Sequence, residues 1–275
     1  MSRPVRVLTD STAGLPAELV AEHRLLVVAM TVSAGARTGE EGTEVTPADV
    51  ETALRARLEV RTAHPGPAAF ATVLARVGDA DVVAVHLSSK LSSTVAAAEQ
   101  ALDGAGAVVD SQTCGMGLGL IALAAAETAE VGGSVDEVVA ATATAMARTH
   151  TWFYVESLDA LRRGGRIGAA SALLGSALAV KPLLHMVDGA VEPLEKVRTS
   201  SRAVARLQAL AVERAGDGPA DVAVMHLGAA GRAEALAARL RDQLPAARAV
   251  YVTELSAAVG AHTGVGALGV AVNAR

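Results

Sequence analysis

The chain has 275 residues, of which 51% are hydrophobic, 19% charged and only 2% aromatic, and it carries a formal net charge of −5. This balance excludes a disordered chain, and the acidic net charge argues against general nucleic-acid binding, which needs a concentrated basic surface. With so few rings, core volume must come from Ala, Val, Leu and a few Met, so an internal cavity is expected to have aliphatic walls that suit an acyl chain better than a stacked base.

The start, Met1-Ser2-Arg3-Pro4-Val5-Arg6, reaches Asp10 without the apolar stretch of a signal peptide, and no run of about 18 uninterrupted apolar residues follows. The expectation is a cytoplasmic protein with no stable membrane insertion. Apolar, β-branched runs at 5–9, 25–32, 82–87 and 107–110 predict strands. Ala-rich stretches of helical period at 16–22, 47–58, 67–77, 94–102, 116–130 and 135–148 predict helices. Pro16, Pro47 and Pro67 fit first-turn positions, and Thr46 suits the cap before Pro47. The lone Cys114 excludes an intrachain disulfide and a multi-cysteine zinc site, and reads as a small buried hydrophobe.

Beyond 152–155 the pattern continues with helices ending at 163 and near 169–178, and a strand near 183–187. Helices at 202–215 and 233–244 then alternate with strands near 222–227, 250–253 and 267–272. The alternation predicts an α/β fold with mostly parallel sheets in two lobes, 1–150 and 151–275, with a boundary near 148–152 that chain crossings would make discontinuous.

In such sheets ligands gather beyond the carboxyl ends of the strands, where Asp10-Ser11-Thr12, 86–89 and Asp110-Ser111 all fall. Asp10 and Asp110 serve equally well as caps or turn holders. The loop Ser88-Ser89-Lys90-Leu91-Ser92-Ser93-Thr94 precedes a helix, so hydroxyls and free N–H groups can converge there on an anion, although a plain N-cap needs one hydroxyl only. In Gly260-Ala261-His262-Thr263-Gly264 the glycines suit a turn that brings an imidazole close to a ligand. Arg162, Arg163 and Arg166 crowd the Gly164-Gly165 pair before a nearly uncharged run from 167 to 180. The cations and glycines are ordinary helix stop signals, but the crowding also suits an anion beside something apolar.

The dinucleotide fingerprint, the phosphate-binding Gly-Lys loop, the Gly-x-Ser-x-Gly elbow and His-Glu-x-x-His are all missing, so no cofactor or metal is implied. A Ser92, His262 and Asp10 relay keeps a serine-type acyl hydrolase open as an alternative.

These segments together resemble the DegV family. The match runs through Thr9-Asp10-Ser11-Thr12-Ala13-Gly14-Leu15-Pro16, the 87–94 loop, Val109-Asp110-Ser111, the 157–167 segment with Lys196-Val197-Arg198, and Ala261-His262-Thr263-Gly264. The resemblance implies a fatty-acid-binding protein of two α/β lobes with the acyl chain buried between them. Thr62, Ser92 and His262 would hold the carboxylate, with Ser93, Thr94, Asp10 and Ser11 as secondary candidates near the head group. Ser93 stands where the family has Gly, and Val265 where it has Pro. The resemblance further implies a non-catalytic subunit that presents the acid to a fatty acid kinase, the acyl phosphate feeding phospholipid synthesis. Arg166 and Arg198 are then the candidates that face the phosphate or the kinase. A lipid sensor without a kinase is the other alternative.

Overall fold

The computed structural model describes residues 3–173 and 181–275. The chain enters along β1 (Val5–Asp10), passes a 3-10 turn (Ser11–Ala13) and α1 (Ala17–Glu22), and returns as β2 (Leu26–Val28). Strands β3 (Thr31–Ala34) and β4 (Arg37–Glu40) form a hairpin that β5 (Val60–Ala63) joins after α2 (Pro47–Arg55). There follow α3 (Pro67–Leu74), β6 (Asp81–His86), α4 (Thr94–Leu102), β7 (Gly106–Asp110), α5 (Met116–Glu130) and α6 (Val135–Arg148). Then come β8 (Thr149–Tyr154), α7 (Asp159–Arg163), a 3-10 stretch (Gly168–Leu173), β9 (Lys181–Val187) and β10 (Ala190–Val197). The chain closes with α8 (Ser200–Ala215), β11 (Ala220–His226), α9 (Ala230–Gln243), β12 (Ala249–Glu254), α10 (Ala257–Thr263) and β13 (Leu268–Ala274).

Among the described residues the strands form three sheets, ordered β2-β1-β6-β7, β4-β3-β5 and β10-β9-β8-β13-β11-β12. The first sheet is wholly parallel, so β1, β6 and β7 end at one edge. The largest sheet differs from the expected parallel pairing: only β11 and β12 run parallel, and its other neighbours are antiparallel. The short Asp188-Gly189 turn, both residues left-handed, forces a β9–β10 hairpin, and β13 returns between β8 and β11.

Helix α5 joins the two larger sheets. Its residues 116–126 are buried without a break, as expected of a helix covered on all sides, and its core cluster includes Val7, Val83, Ala223 and Ala271 from both sheets. A separate core under the small sheet holds Val32, Val50, Ala257 and Ala258, so α10 crosses from the C-terminal half onto β3 and α2. Capping is local and legible: Thr46 and Asp49 form a reciprocal box ahead of Pro47, and Ser134 and Glu137 repeat it on α6.

Other expectations change in detail. The run 25–32 is two strands in two sheets, because the chain leaves β2 at Ala29 and re-enters as β3. The helix expected near 169–178 begins as a 3-10 stretch, and its remainder lies outside the described residues. Strands β4, β5 and β10 escaped prediction: β4 and β5 are short and polar, and β10 is broken by Pro193 with a register shift beside it.

Candidate functional site

A cavity of about 300 Å³ lies beyond the C-terminal edge of the parallel sheet. Its polar side is assembled from distant segments. Strand β5 brings Thr62, the loop after β6 brings Ser92 and Ser93, the last turn of α10 brings His262, and the turn after α7 brings Arg166. Thr62 Oγ1 lies 2.8 Å from His262 Nε2 across 200 residues of sequence. Ser92 Oγ meets Thr94 Oγ1 at 2.9 Å. The remaining wall is mostly apolar, including Leu87, Cys114, Phe153 and Val191.

Local structure explains these placements. The Gly-flanked segment around His262 is a helix, not a turn, and the Ser256 hydroxyl caps its start by accepting from Val259 N. Glu41, buried, accepts from Ala258 N at 2.8 Å and from the Ser11 hydroxyl. Burial raises the Glu41 pKa. Helix α10 is thus braced by Glu41, just after β4, at one end and by Thr62 at the other. Ser93 has φ −80°, an ordinary value, so a residue other than glycine fits there without strain.

The imidazole is held neutral: burial, and then the charge of Arg166, lower the His262 pKa from 6.5 to about 4. Arg166 donates through Nε to Leu91 O at 3.0 Å and through Nη1 to Gly164 O at 2.5 Å, which ties the turn after α7 to the serine loop. The two glycines of that turn differ. Gly165 takes the left-handed conformation at φ +70°, whereas Gly164 does not need it; a Cβ there would lie 2.0 Å from His262 Nδ1. The glycine at 164 makes room for the ring.

The structure therefore brings Thr62, Ser92, Ser93, His262 and Arg166 to one cavity and leaves the other sequence candidates outside it. Thr94 is fully buried behind Ser92 and donates to Met30 Sδ at 3.8 Å. Asp10 is saturated: it accepts from Thr12 N and Oγ1 on one oxygen, and from His86 Nδ1 at 2.9 Å and Leu87 N at 3.0 Å on the other. That makes it a brace between β1 and β6 rather than a head-group contact. Ser11 is bound to Glu41 and accepts from Met30 N. Asp110 holds the Ser89 and Gln112 turns. Arg198 is exposed just after β10, ahead of the Thr199 cap of α8, and does not border the cavity.

Sequence reasoning passed over Phe153, and it took Cys114 for a plain core residue. Cys114 borders the cavity in a dry setting, and burial, then the Asp10 charge, pushes its thiol from 9.0 up to about 12. The signal available was the run Trp152-Phe153-Tyr154 in a chain with hardly any aromatics, whose alternation on a strand sends the middle ring opposite to its neighbours. Among the described residues no cluster of three or more His, Cys, Asp or Glu is arranged for a metal ion, and no helix is long and apolar enough to cross a membrane.

Comparison with known proteins gives a consistent picture. A family model described as "Uncharacterised protein, DegV family" matches residues 4–275. The DegV domain-containing protein SCO2569 of Streptomyces coelicolor is 51% identical over 281 residues, covering 100% of both chains. Among solved structures, a fatty-acid-binding DegV family protein from Thermus thermophilus superposes with a TM-score of 0.92 at 30% identity, covering 99% of this chain and 100% of that one. DegV from Bacillus subtilis, a fatty acid binding protein, gives 0.91 at 29% identity and 100% coverage of both.

Proposed function

The chain belongs to the DegV family, and from that premise we propose that it binds one long-chain fatty acid and presents its carboxyl group to a fatty acid kinase. The observation that carries the reading is the meeting of Thr62 and His262 at 2.8 Å, beside Ser92, at the polar side of an otherwise apolar cavity. A carboxylate moved out of water is costly unless several donors or a cation receive it, and two hydroxyls, an imidazole and the Arg166 guanidinium offer that. The tail adds about 0.8 kcal/mol per buried methylene, so affinity comes mainly from the chain and orientation from the head group. The fatty-acid-binding relatives from Thermus thermophilus and Bacillus subtilis support the same ligand class.

On this reading the protein is a carrier and the kinase supplies the ATP chemistry. Arg166 steadies the negative oxygens gained on phosphorylation, because its planar fork suits them and it borders the cavity, while exposed Arg198 is left for the kinase surface. The hydrolase alternative finds its three residues otherwise engaged: Ser92 with Thr94, His262 with Thr62, and Asp10 with His86.

Competition between palmitate and its methyl ester tests the head group. The ester is expected to bind far more weakly, and Ser92→Ala and Thr62→Val are each expected to cost about 1–3 kcal/mol. Equal affinity for acid and ester removes the proposal. Acyl-phosphate formation with the cognate kinase and ATP tests the presentation step, and wild-type rates in both Arg166→Ala and Arg198→Ala remove the arginine roles.

A further inference from the structure

Strand β8 is interior, hydrogen-bonded to β9 on one side and β13 on the other. Its side chains alternate: Trp152 and Tyr154 are buried in the core shared with α8 and α9, while Phe153 faces the α5 side and borders the cavity. Phe153 is the one ring of a Phe, Tyr or Trp among the described lining residues, and it is only partly buried, because the cavity lies against it.

The space beyond Phe153 along the strand is closed. Thr151, the next residue on that face, packs on the first turn of α5, with its hydroxyl 3.1 Å from Thr113 Oγ1, and a Cβ at Gly117 would fall 2.2 Å from it. Beside Phe153 the arrangement is the opposite. Its partner in register on β13 is Gly269, where a Cβ would lie 3.4 Å from Phe153 Cβ and 3.2 Å from Met225 Cε. On the β13 side the row therefore has no side chain of its own and Met225 lies over it, while Leu184 of β9 flanks the ring on the other side; of these, the Phe153 ring is the one that borders the cavity. None of the polar groups comes from β8: Thr62 is on β5, His262 on α10, Arg166 after α7 and Ser92 in the loop after β6.

We propose that Phe153 sets the length limit of the bound acyl chain, its ring forming the end wall that the terminal methyl meets. This rests on the fatty-acid reading above and adds the residue that decides which acids fit. A straight chain gains contact with every added methylene until it reaches the ring; a longer one must bend or withdraw its carboxyl group from Ser92 and His262. Replacing the ring by a methyl group opens space at the cavity wall without removing a head-group contact.

The test is the affinity of a saturated series from C10 to C22, measured for the purified wild type, Phe153→Ala and the milder Phe153→Leu. Wild-type affinity is expected to rise about fourfold per methylene and then break. In Phe153→Leu, and further in Phe153→Ala, the break moves to longer acids. An unmoved break in variants that still bind overturns the assignment of Phe153. If wild type binds no acid of the series, it is the fatty-acid reading that fails. Should Phe153→Ala not fold, Phe153→Leu decides alone.

Discussion

Gly164→Ala isolates the fit between the turn after α7 and the His262 ring. By backbone alone the change should help: φ −76° and ψ −8° are open to any residue, and replacing glycine there stabilises by about 0.4–1 kcal/mol through the unfolded chain. Sterically it is prohibitive, since the new Cβ would lie 2.0 Å from His262 Nδ1 and 2.6 Å from Cε1. The ring must move by more than an ångström, and Thr62 at 2.8 Å resists that. Overpacking of this kind costs about 1–3 kcal/mol. The net expectation is a loss of about 1–2 kcal/mol, or roughly 2–4 °C in Tm for a chain of this size. Fatty-acid affinity should fall about tenfold or more as the imidazole leaves its place. Urea and thermal unfolding of Gly164→Ala, His262→Ala and the double variant measure the coupling, expected to exceed about 1 kcal/mol because removing the ring removes the clash. If Gly164→Ala stabilises equally in both backgrounds, the steric reason for this glycine is refuted.

Three further outcomes follow from buried groups. His262 is neutral in folded and unfolded protein above pH 6.5; as pH falls towards 4 the unfolded chain takes a proton that the folded ring refuses, so stability drops through that window. His262→Gln should flatten that part of the Tm–pH curve, and an imidazole seen by NMR to titrate near 6.5 contradicts the expectation. With its pKa pushed from 9.0 to about 12, Cys114 should be alkylated by iodoacetamide at pH 8 about a thousandfold more slowly than in urea-denatured protein, and comparable rates would show an ordinary thiol. Asp10→Ala strands the donors of His86, Leu87 and Thr12 in the core and should cost about 3–5 kcal/mol in unfolding experiments, whereas unchanged stability would end its role as a brace.

What the sequence disclosed follows from how local each signal is. The parallel sheet and helices α4, α5 and α6 were legible because apolar period, caps and length agree within a few residues of one another, as at Ser134 and Glu137. Hydroxyls and acids at the ends of β1, β6 and β7 were legible for the same reason, yet their individual duties were not. Asp10 and Ser92 look alike as polar residues at strand ends, and only the approach of His86 to one and the cavity beside the other separates them. Strand β5 holds Thr62 but is four residues long with alternate positions exposed, so it stands as a strand only because β3 pairs with it. The Gly164-Gly165 pair read as a helix stop, which is true of Gly165 alone. The reason for Gly164 is a side chain almost a hundred positions away.

The brace on α10 explains why such remote residues can form one site. Glu41 binds the start of the helix and Thr62 meets its last turn, and both belong to or adjoin the small sheet, whose core also takes in Ala257 and Ala258. The small sheet and α10 thus form a single packed unit, which fixes His262 relative to Thr62. Ser92 belongs to a different unit, the loop beyond the parallel sheet, and the turn after α7 reaches it through Arg166 and Leu91 O. On the proposed reading, a carboxylate accepting from Ser92 on one side and from the Thr62–His262 pair on the other would span the seam between them. Pre-organised donors on each side lower the ordering cost of binding, while the span across the seam makes affinity depend on how the two units sit together. The neutral imidazole suits this arrangement. A cation at His262 would crowd Arg166, whereas an uncharged ring can contribute a hydrogen bond and leave the guanidinium as the charge that an anion meets.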